Sequence, residues 1–274
     1  MKYLIIFIAA WVSTIRSQKF DMNFDKEKFD QYLSSGTFKG FLTPKQFWNF
    51  YRVVKESPAY SNLISDRESI GQTIKRNHIY GFYLCDDISK LETYKKTKNI
   101  ITLTALHHAR EPLSITMIVL MVSKILRSFN ESKHNKMKEL LRDNIIFFVP
   151  ILNIDSYLYI INSYRKDPTN KEVLMIRKNR NIDKKCGAMT GGVDLNRNYG
   201  FKFGLDNKGS SNDPCAEDYR GEHPFSENET IAIKDYIEAH DNVVSCVNVH
   251  TYGNAWIYPF NYINDRSNNL LKVH

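Results

Sequence analysis

Cysteine is scarce: the 274 residues hold four, Cys85, Cys186, Cys215 and Cys246. So few cannot build a small disulfide-held scaffold, although one or two bridges stay open in an oxidising compartment. Long apolar runs are lacking too. The stretch from Tyr3 to Val12 falls short of the roughly 20 apolar residues that a bilayer requires. A later run, Ile115 to Val122, is interrupted by Thr116 and followed by Ser123-Lys124, which suits a buried helix better than a span. Acidic residues are outnumbered, giving a net charge of +8, but most of the excess is spread as single lysines. The densest basic cluster, Arg177 to Lys185, has no interleaved aromatic residues, which argues against a nucleic-acid surface. It reads as a solvated loop, with attraction to polyanions or acidic peptides as the alternative.

What is present suffices for a sizeable core: 42% of the residues are hydrophobic. Residues 1–17 have the plan of a secretory leader, with Lys2 as the positive start, an apolar centre and the small Ser17 at the end. The chain is therefore expected to be secreted or lumenal, with no membrane span once mature. A short segment, 18–42, precedes the main domain, 43–274. Thr43-Pro44 opens a helix with Phe47, Phe50, Tyr51 and Val54 on one face. A hairpin follows over Ser69 to Leu84, then a lysine-rich loop from Lys90 to Lys98. Strand-like runs at Asn99 to Leu106, Asn144 to Leu152 and Val243 to Val249 alternate with helical ones. The helix from about Glu111 to Ser128 is expected to turn Leu113, Met117, Leu120, Met121 and Ile125 inward, and Ser226 with Glu229 forms a capping box for a later helix. This alternation predicts an α/β fold: a mixed parallel and antiparallel sheet with helices on both faces.

Such sheets bind ligands at the carboxyl ends of their strands. His108 closes one strand and Glu111 opens the next helix, so the two side chains can reach one metal ion. His250, at the end of the last strand, supplies a third ligand. Three N/O ligands with one position left for water describe a catalytic zinc site rather than a structural one. His107, next to the first ligand, is expected to face away by strand alternation.

The motifs carry a resemblance. His108-Ala109-Arg110-Glu111, Gly192-Val193-Asp194-Leu195-Asn196-Arg197-Asn198 and His250-Thr251-Tyr252 resemble, in order, the motifs of metallocarboxypeptidases of the carboxypeptidase A/B type. The resemblance implies one zinc ion per chain on His108, Glu111 and His250, with Asp194 behind the first histidine. It implies that Asn196 and Arg197 grip a peptide's terminal carboxylate, and that Arg110 and Tyr252 line the neighbouring subsite. Arg177 would stabilise the oxyanion, with Arg180 as its rival in Ile176-Arg177-Lys178-Asn179-Arg180. Cys186 and Cys215 match positions that the family bridges. The segment Asn153-Ile154-Asp155-Ser156-Tyr157 departs from the family's Asn-Pro-Asp-Gly-Tyr, so its backbone is expected to take a different path.

The expected activity is removal of C-terminal residues from peptides or proteins by metal-activated water. In the family, the general-base glutamate, a substrate-contacting tyrosine and the pocket residue all lie well beyond the second zinc histidine. None maps onto this chain, which ends at His274. The fold is accordingly expected to be incomplete at its C-terminal side and hydrolysis to be slow. The alternative is a catalytically inactive, zinc-containing protein that binds peptide C-termini or polyanions. Side-chain preference and oligomeric state are not written in these residues.

Overall fold

The computed structural model describes residues 4–9, 36–131 and 136–257. Ser17 of the leader, the segment 18–35 and residues 258–274 lie outside the described residues. Three parallel strands form the centre of the sheet: β4 (Asn99–Ala105), flanked by β5 (Asn144–Val149) and β6 (Val243–His250). Antiparallel additions on one side are β3 (His78–Leu84) on β5 and β2 (Glu68–Gln72) on β3. On the other side β1 (Leu4–Ala9) runs parallel to β6, and β7 (Trp256–Ile257) pairs antiparallel with β1. β1 falls within the apolar centre of the leader-like segment; a run of this length suits either role. The order is β2-β3-β5-β4-β6-β1-β7, a mixed sheet as expected.

Alternation along the central strands sends side chains to two separate cores. Leu103, Ala105, Ile146, Phe148, Val247 and Val249 join one core with α1 (Pro44–Glu56), α3 (Leu113–Glu131) and α5 (Ile154–Lys166). Ile100, Ile145, Phe147 and Cys246 join the other, under Ala232, Ile233 and Tyr236 of α6 (Asn228–Glu238). Helices thus cover both faces. In α1 the Thr43 hydroxyl accepts from the Gln46 amide in a reciprocal capping box, and Phe47, Phe50, Tyr51 and Val54 are buried together.

Three local expectations are corrected. Lys90 to Lys98 is not a loop: after a short turn it forms α2 (Leu91–Thr97). The inward face of α3 is Ile115, Ile118, Val119, Val122 and Leu126, whereas Leu113, Met117, Leu120, Met121 and Ile125 sit half-buried at the margin of the core. A helix apolar on most of its circumference gives periodicity little to choose by. By length and composition Leu113–Asn130 could cross a membrane, but its most apolar face is packed against the sheet. Finally, α6 begins at Asn228 with Glu227 as N-cap and no side-chain cap bond, because Ser226 and Glu229 are engaged elsewhere.

Candidate metal centre

The carboxyl ends of β4 and β6 lie side by side, with Ala105 opposite Val249. That register brings His250, the last residue of β6, next to the loop that follows β4. Leu106 leaves β4 in the left-handed region, at φ 58°. Its amide donates to Ser114 Oγ (3.1 Å), which itself donates to the Glu111 carbonyl (2.7 Å). The buried Asn153, just past β5, donates its side-chain amide to the His107 carbonyl (3.0 Å). The Ala109 amide donates to the Arg177 carbonyl (3.2 Å). Neighbouring elements therefore hold the loop at each end.

Within this frame His108 Nδ1 lies 2.7 Å from Glu111 Oε1, and His250 Nδ1 lies 3.0 Å from Glu111 Oε2. Ligand atoms of all three residues fall within 4.8 Å of one another. Behind them Asp194, fully buried, accepts from His108 Nε2 at 3.0 Å. Its other oxygen takes Nε (2.9 Å) and Nη2 (2.8 Å) of Arg177. Arg177 Nη1 reaches to 3.3 Å from His108 Nδ1.

The charges follow from these contacts. Burial alone would raise the pKa of Glu111, but bonds to His108 and His250 outweigh it and hold the carboxyl well below its usual range. Asp194 behaves alike: burial is overcome by His108 and Arg177. The two imidazoles part company. Burial opposes charge on both, yet His108 is raised because it meets both Asp194 and Glu111. On His250 burial outweighs the bond to Glu111, the charge of His108 adds to it, and the pKa is lowered.

Two ring nitrogens and a carboxylate, with no thiolate, are the donor set of an open zinc site. A carboxylate on the far nitrogen of a ligating histidine fixes its tautomer and turns the other nitrogen's lone pair to the metal. Asp194 is placed to do this for His108. The residues present fit a zinc ion.

The centre opens into a cavity of about 720 Å³, lined among others by Asn196, Arg197, Tyr199, Phe203 and Tyr252. Arg197 is steadied by the Gly209 carbonyl (2.8 Å) and the Asn196 carbonyl (3.1 Å), and Asn196 Oδ1 has no partner among the described residues. Tyr252 stands at the rim, 97% exposed. Arg110 points away from the ligands toward the carboxylate of Glu217 and the Met175 carbonyl (3.4 Å). Of the two candidate arginines, Arg177 touches the centre. Arg180 instead donates to the Ala188 carbonyl (2.7 Å) and covers the Tyr159 ring at 3.8 Å. Cys186 and Cys215 form a disulfide, and Cys85 and Cys246 are free and buried.

Two readings need correction here. The basic cluster is a solvated loop only in part: Lys184 and Lys185 are exposed, but its first half is covered. Lys178, 3% exposed, donates its ammonium to the Pro214 (2.8 Å) and Ala216 (2.7 Å) carbonyls, and Arg180 is buried. Nor does His107 turn from the site. Its Nε2 is 2.7 Å from the Tyr199 hydroxyl, and its ring centre is 5.4 Å from that of His250. Strand alternation fails because the backbone has already left the strand at Leu106. Sequence reasoning also missed Glu217 and Asn153. A small amide immediately after a buried strand was the available signal for Asn153.

An α/β sheet with a His-Glu-His cluster at the carboxyl ends of its parallel strands defines a protein with a candidate metal site. The model of the zinc carboxypeptidase family matches residues 54–273, and the chain belongs to that family. Carboxypeptidase B of Bos taurus is 32% identical over 213 residues, covering 77% of this chain and 45% of the relative. Carboxypeptidase A4 of Mus musculus is 30% identical over 204 residues, covering 74% and 43%. The chain thus spans less than half the length of these curated relatives. Among solved structures, thrombin-activatable fibrinolysis inhibitor aligns with a TM-score of 0.68 at 23% identity, covering 86% of this chain and 53% of that one. Carboxypeptidase A from Helicoverpa armigera aligns at 0.61 and 20%, covering 83% and 52%. At such identities the likeness shows the shared fold.

Proposed function

We propose that this chain carries the metal-binding and carboxylate-gripping part of a secreted exopeptidase that removes C-terminal residues from peptides. The observation that carries the reading is the convergence of His108, Glu111 and His250 on one cavity that Arg197 and Asn196 also line. A bound zinc ion supplies a Lewis acid and makes water acidic enough to attack near neutral pH. The other tasks fall to the protein. Asp194 holds the Nε2 proton of His108, which leaves Nδ1 to ligate. Arg197 offers a planar fork suited to the two oxygens of a terminal carboxylate, and the side-chain N–H groups of Asn196 beside it can donate to the same oxygens. Docking that carboxylate fixes which bond meets the metal. Arg177, whose Nη1 lies 3.3 Å from His108 Nδ1, is the guanidinium beside the centre and the one suited to a developing oxyanion. The disulfide, a bond that persists in oxidising compartments, supports export, as does the leader-like start.

The step with least support is proton removal. Among the described residues, the carboxylates lining the cavity are Glu111, taken by the histidines, and Asp206, which accepts from the amides of Lys208 (2.9 Å) and Gly209 (3.4 Å). A general base contributes about 10²- to 10⁴-fold. The second reading is therefore a protein that binds zinc and peptide C-termini with little turnover. The test is to load the 274-residue chain with zinc and measure both binding and cleavage of a C-terminal-carboxylate peptide. One zinc per chain, with peptide binding abolished by amidating the peptide terminus, is expected. Absence of zinc binding would sink both readings, and turnover at the rate of a complete carboxypeptidase would reject the second.

A further inference from the structure

The two segments that carry Arg177 and Asp194 have no regular structure to hold them beyond two short turns, Glu172–Met175 and Leu195–Arg197. Their spacing nonetheless decides whether the arginine and the carboxylate meet behind His108. Two residues beyond Arg177 stands Asn179, 1% exposed and bonded on every side. Its backbone amide donates to the Val193 carbonyl (2.9 Å), and its Oδ1 accepts the Val193 amide (2.9 Å) and the Asn181 amide (3.2 Å). Val193 immediately precedes Asp194. On its far side Asn179 Nδ2 donates to Glu227 Oε2 (2.6 Å) and lies 3.3 Å from Glu229 Oε2, both at the start of α6. The approach is so close that a Cβ on Gly192, which sits at φ 100°, would come within 2.2 Å of the Asn179 carbonyl oxygen.

We propose that Asn179, clamped by Glu227 and Glu229, is a positioning residue that sets the distance at which Arg177 and Asp194 meet behind the metal ligand His108. This rests on the reading that the centre holds a metal. The chemistry of position 179 is narrow. Toward Val193 and Asn181 it must accept, because both partners are backbone amides. Toward α6 it must donate, because both partners are carboxylates. A side-chain amide accepts on one side and offers two N–H donors on the other, whereas a hydroxyl has a single donor. Asn198 repeats the device beyond Asp194. Its Oδ1 accepts from the Glu227 amide (3.2 Å) and the Thr230 hydroxyl (2.6 Å), while its Nδ2 donates to the Arg220 carbonyl (2.8 Å). Both segments are thereby referred to one rigid object, the first turn of α6.

The experiment exchanges donor and acceptor without changing shape. Asn179→Asp faces Glu227 with a second carboxylate, and the pair Asn179→Asp with Glu227→Gln returns a donor to the contact from the other side. Zinc affinity is measured by competition with a chelating dye, amide exchange is followed at Val193, and near-UV dichroism reports folding. The single variant is expected to fold, to bind zinc about tenfold more weakly, as removal of outer support does at metal sites, and to exchange Val193 faster. The pair should recover both. If the single variant binds zinc as the parent does, or if the pair fails to restore a folded single variant, the proposal is overturned. Should Asn179→Asp fail to fold, Asn179→Ser, which adds no charge, is judged on zinc affinity and Val193 exchange against the parent. If the parent binds no zinc, the functional reading fails by itself. Val193 exchange then decides the positioning claim, supporting it when accelerated and restored, and overturning it when unchanged.

Discussion

Two groups of buried carboxylates lie on either side of Asn179, and the fold treats them in opposite ways. Glu111 and Asp194 face imidazoles and a guanidinium, and both are held well below the usual carboxylate range. Glu227 and Glu229 face amides, a hydroxyl and each other, and no ion pair involves either among the described residues. Glu229, 1% exposed, has one oxygen without a partner there and is pushed up to about 7 by burial and by the charge of Glu227. Desolvation is a similar penalty in both places. The sign of the outcome is set by whether a cation is in reach. One cluster is built to stay ionised, and the other supports a neutral acid.

Breaking the charged side of this comparison should have the largest effect. Asp194→Asn leaves the guanidinium of Arg177 without its carboxylate, and Arg177 is only 15% exposed. Removing one partner of such a pair costs about 3 to 5 kcal/mol. Urea unfolding should show that loss, together with zinc binding weaker by roughly 10- to 100-fold. Equal stability in variant and parent would mean that the pair is as well served by water. Because both acids are lowered, their contribution is present above the unfolded carboxylate pKa and disappears as the pH falls through the lowered folded values.

Glu229 carries the opposite sign. With a folded pKa near 7, raised from 4.5, it supports the fold fully below pH 4.5, and the support is lost as the pH rises through about 7. Its surroundings are Glu227, Asp155 and Asn179, so ionisation meets two like charges and no cation. Glu229→Gln keeps the shape and removes the titration. Relative to the parent, the variant should gain about 3 kcal/mol between pH 5 and pH 8, from the linkage of that shift to stability. Denaturant midpoints at the two pH values check this. Parallel curves would place the ionisation of Glu229 in its ordinary range.

The charged cluster was legible in the sequence, and the neutral one was not. His108 and His250 stand at or just past strand ends, where the sheet rule points, with Glu111 three residues beyond His108, and Asp194 stands in a short motif that the family resemblance marked. Ser226 to Glu229 looked like a capping box because that pattern is local, while the true partners, Asn179 and Asn198, are 48 and 29 residues from Glu227. Lys178 was hidden likewise, since nothing in a run of basic residues marks which of them will be covered. The face of α3 was ambiguous because apolar residues encircle it. Long-range hydrogen bonds and the choice among equivalent apolar faces depend on tertiary contacts that no local pattern encodes.

Lys178 offers a middle case, a buried cation served by carbonyls instead of carboxylates. Burial lowers its pKa. Lys178→Met leaves the Pro214 and Ala216 carbonyls without their donor, a loss of about 1 to 3 kcal/mol. Replacing Cys186 and Cys215 by alanine should cost about 3 kcal/mol through the unfolded chain, while Lys178 still pins the 214–216 segment. The two effects should be separable by amide exchange in that segment, which should accelerate in Lys178→Met and stay slow in the alanine pair. Acceleration confined to the alanine pair would make the disulfide the sole anchor.

At the exposed end of the same series stands the pair of Arg110 and Glu217, with side chains 24% and 65% exposed. Solvent screens it, so its contribution to stability should not exceed about 1 kcal/mol. Its consequence is directional. Glu217 turns Arg110 toward the Met175 carbonyl, and an arginine freed of that carboxylate can lean back to the cavity mouth. Glu217→Gln should therefore leave the unfolding midpoint nearly unchanged while tightening the binding of peptides with an acidic residue before the terminal one. The gain should shrink at 0.5 M salt, where screening acts within a few ångströms. Tighter binding of acidic and neutral peptides alike would instead point to a change in the shape of the rim, and a loss of 3 kcal/mol would move this pair into the class of Asp194.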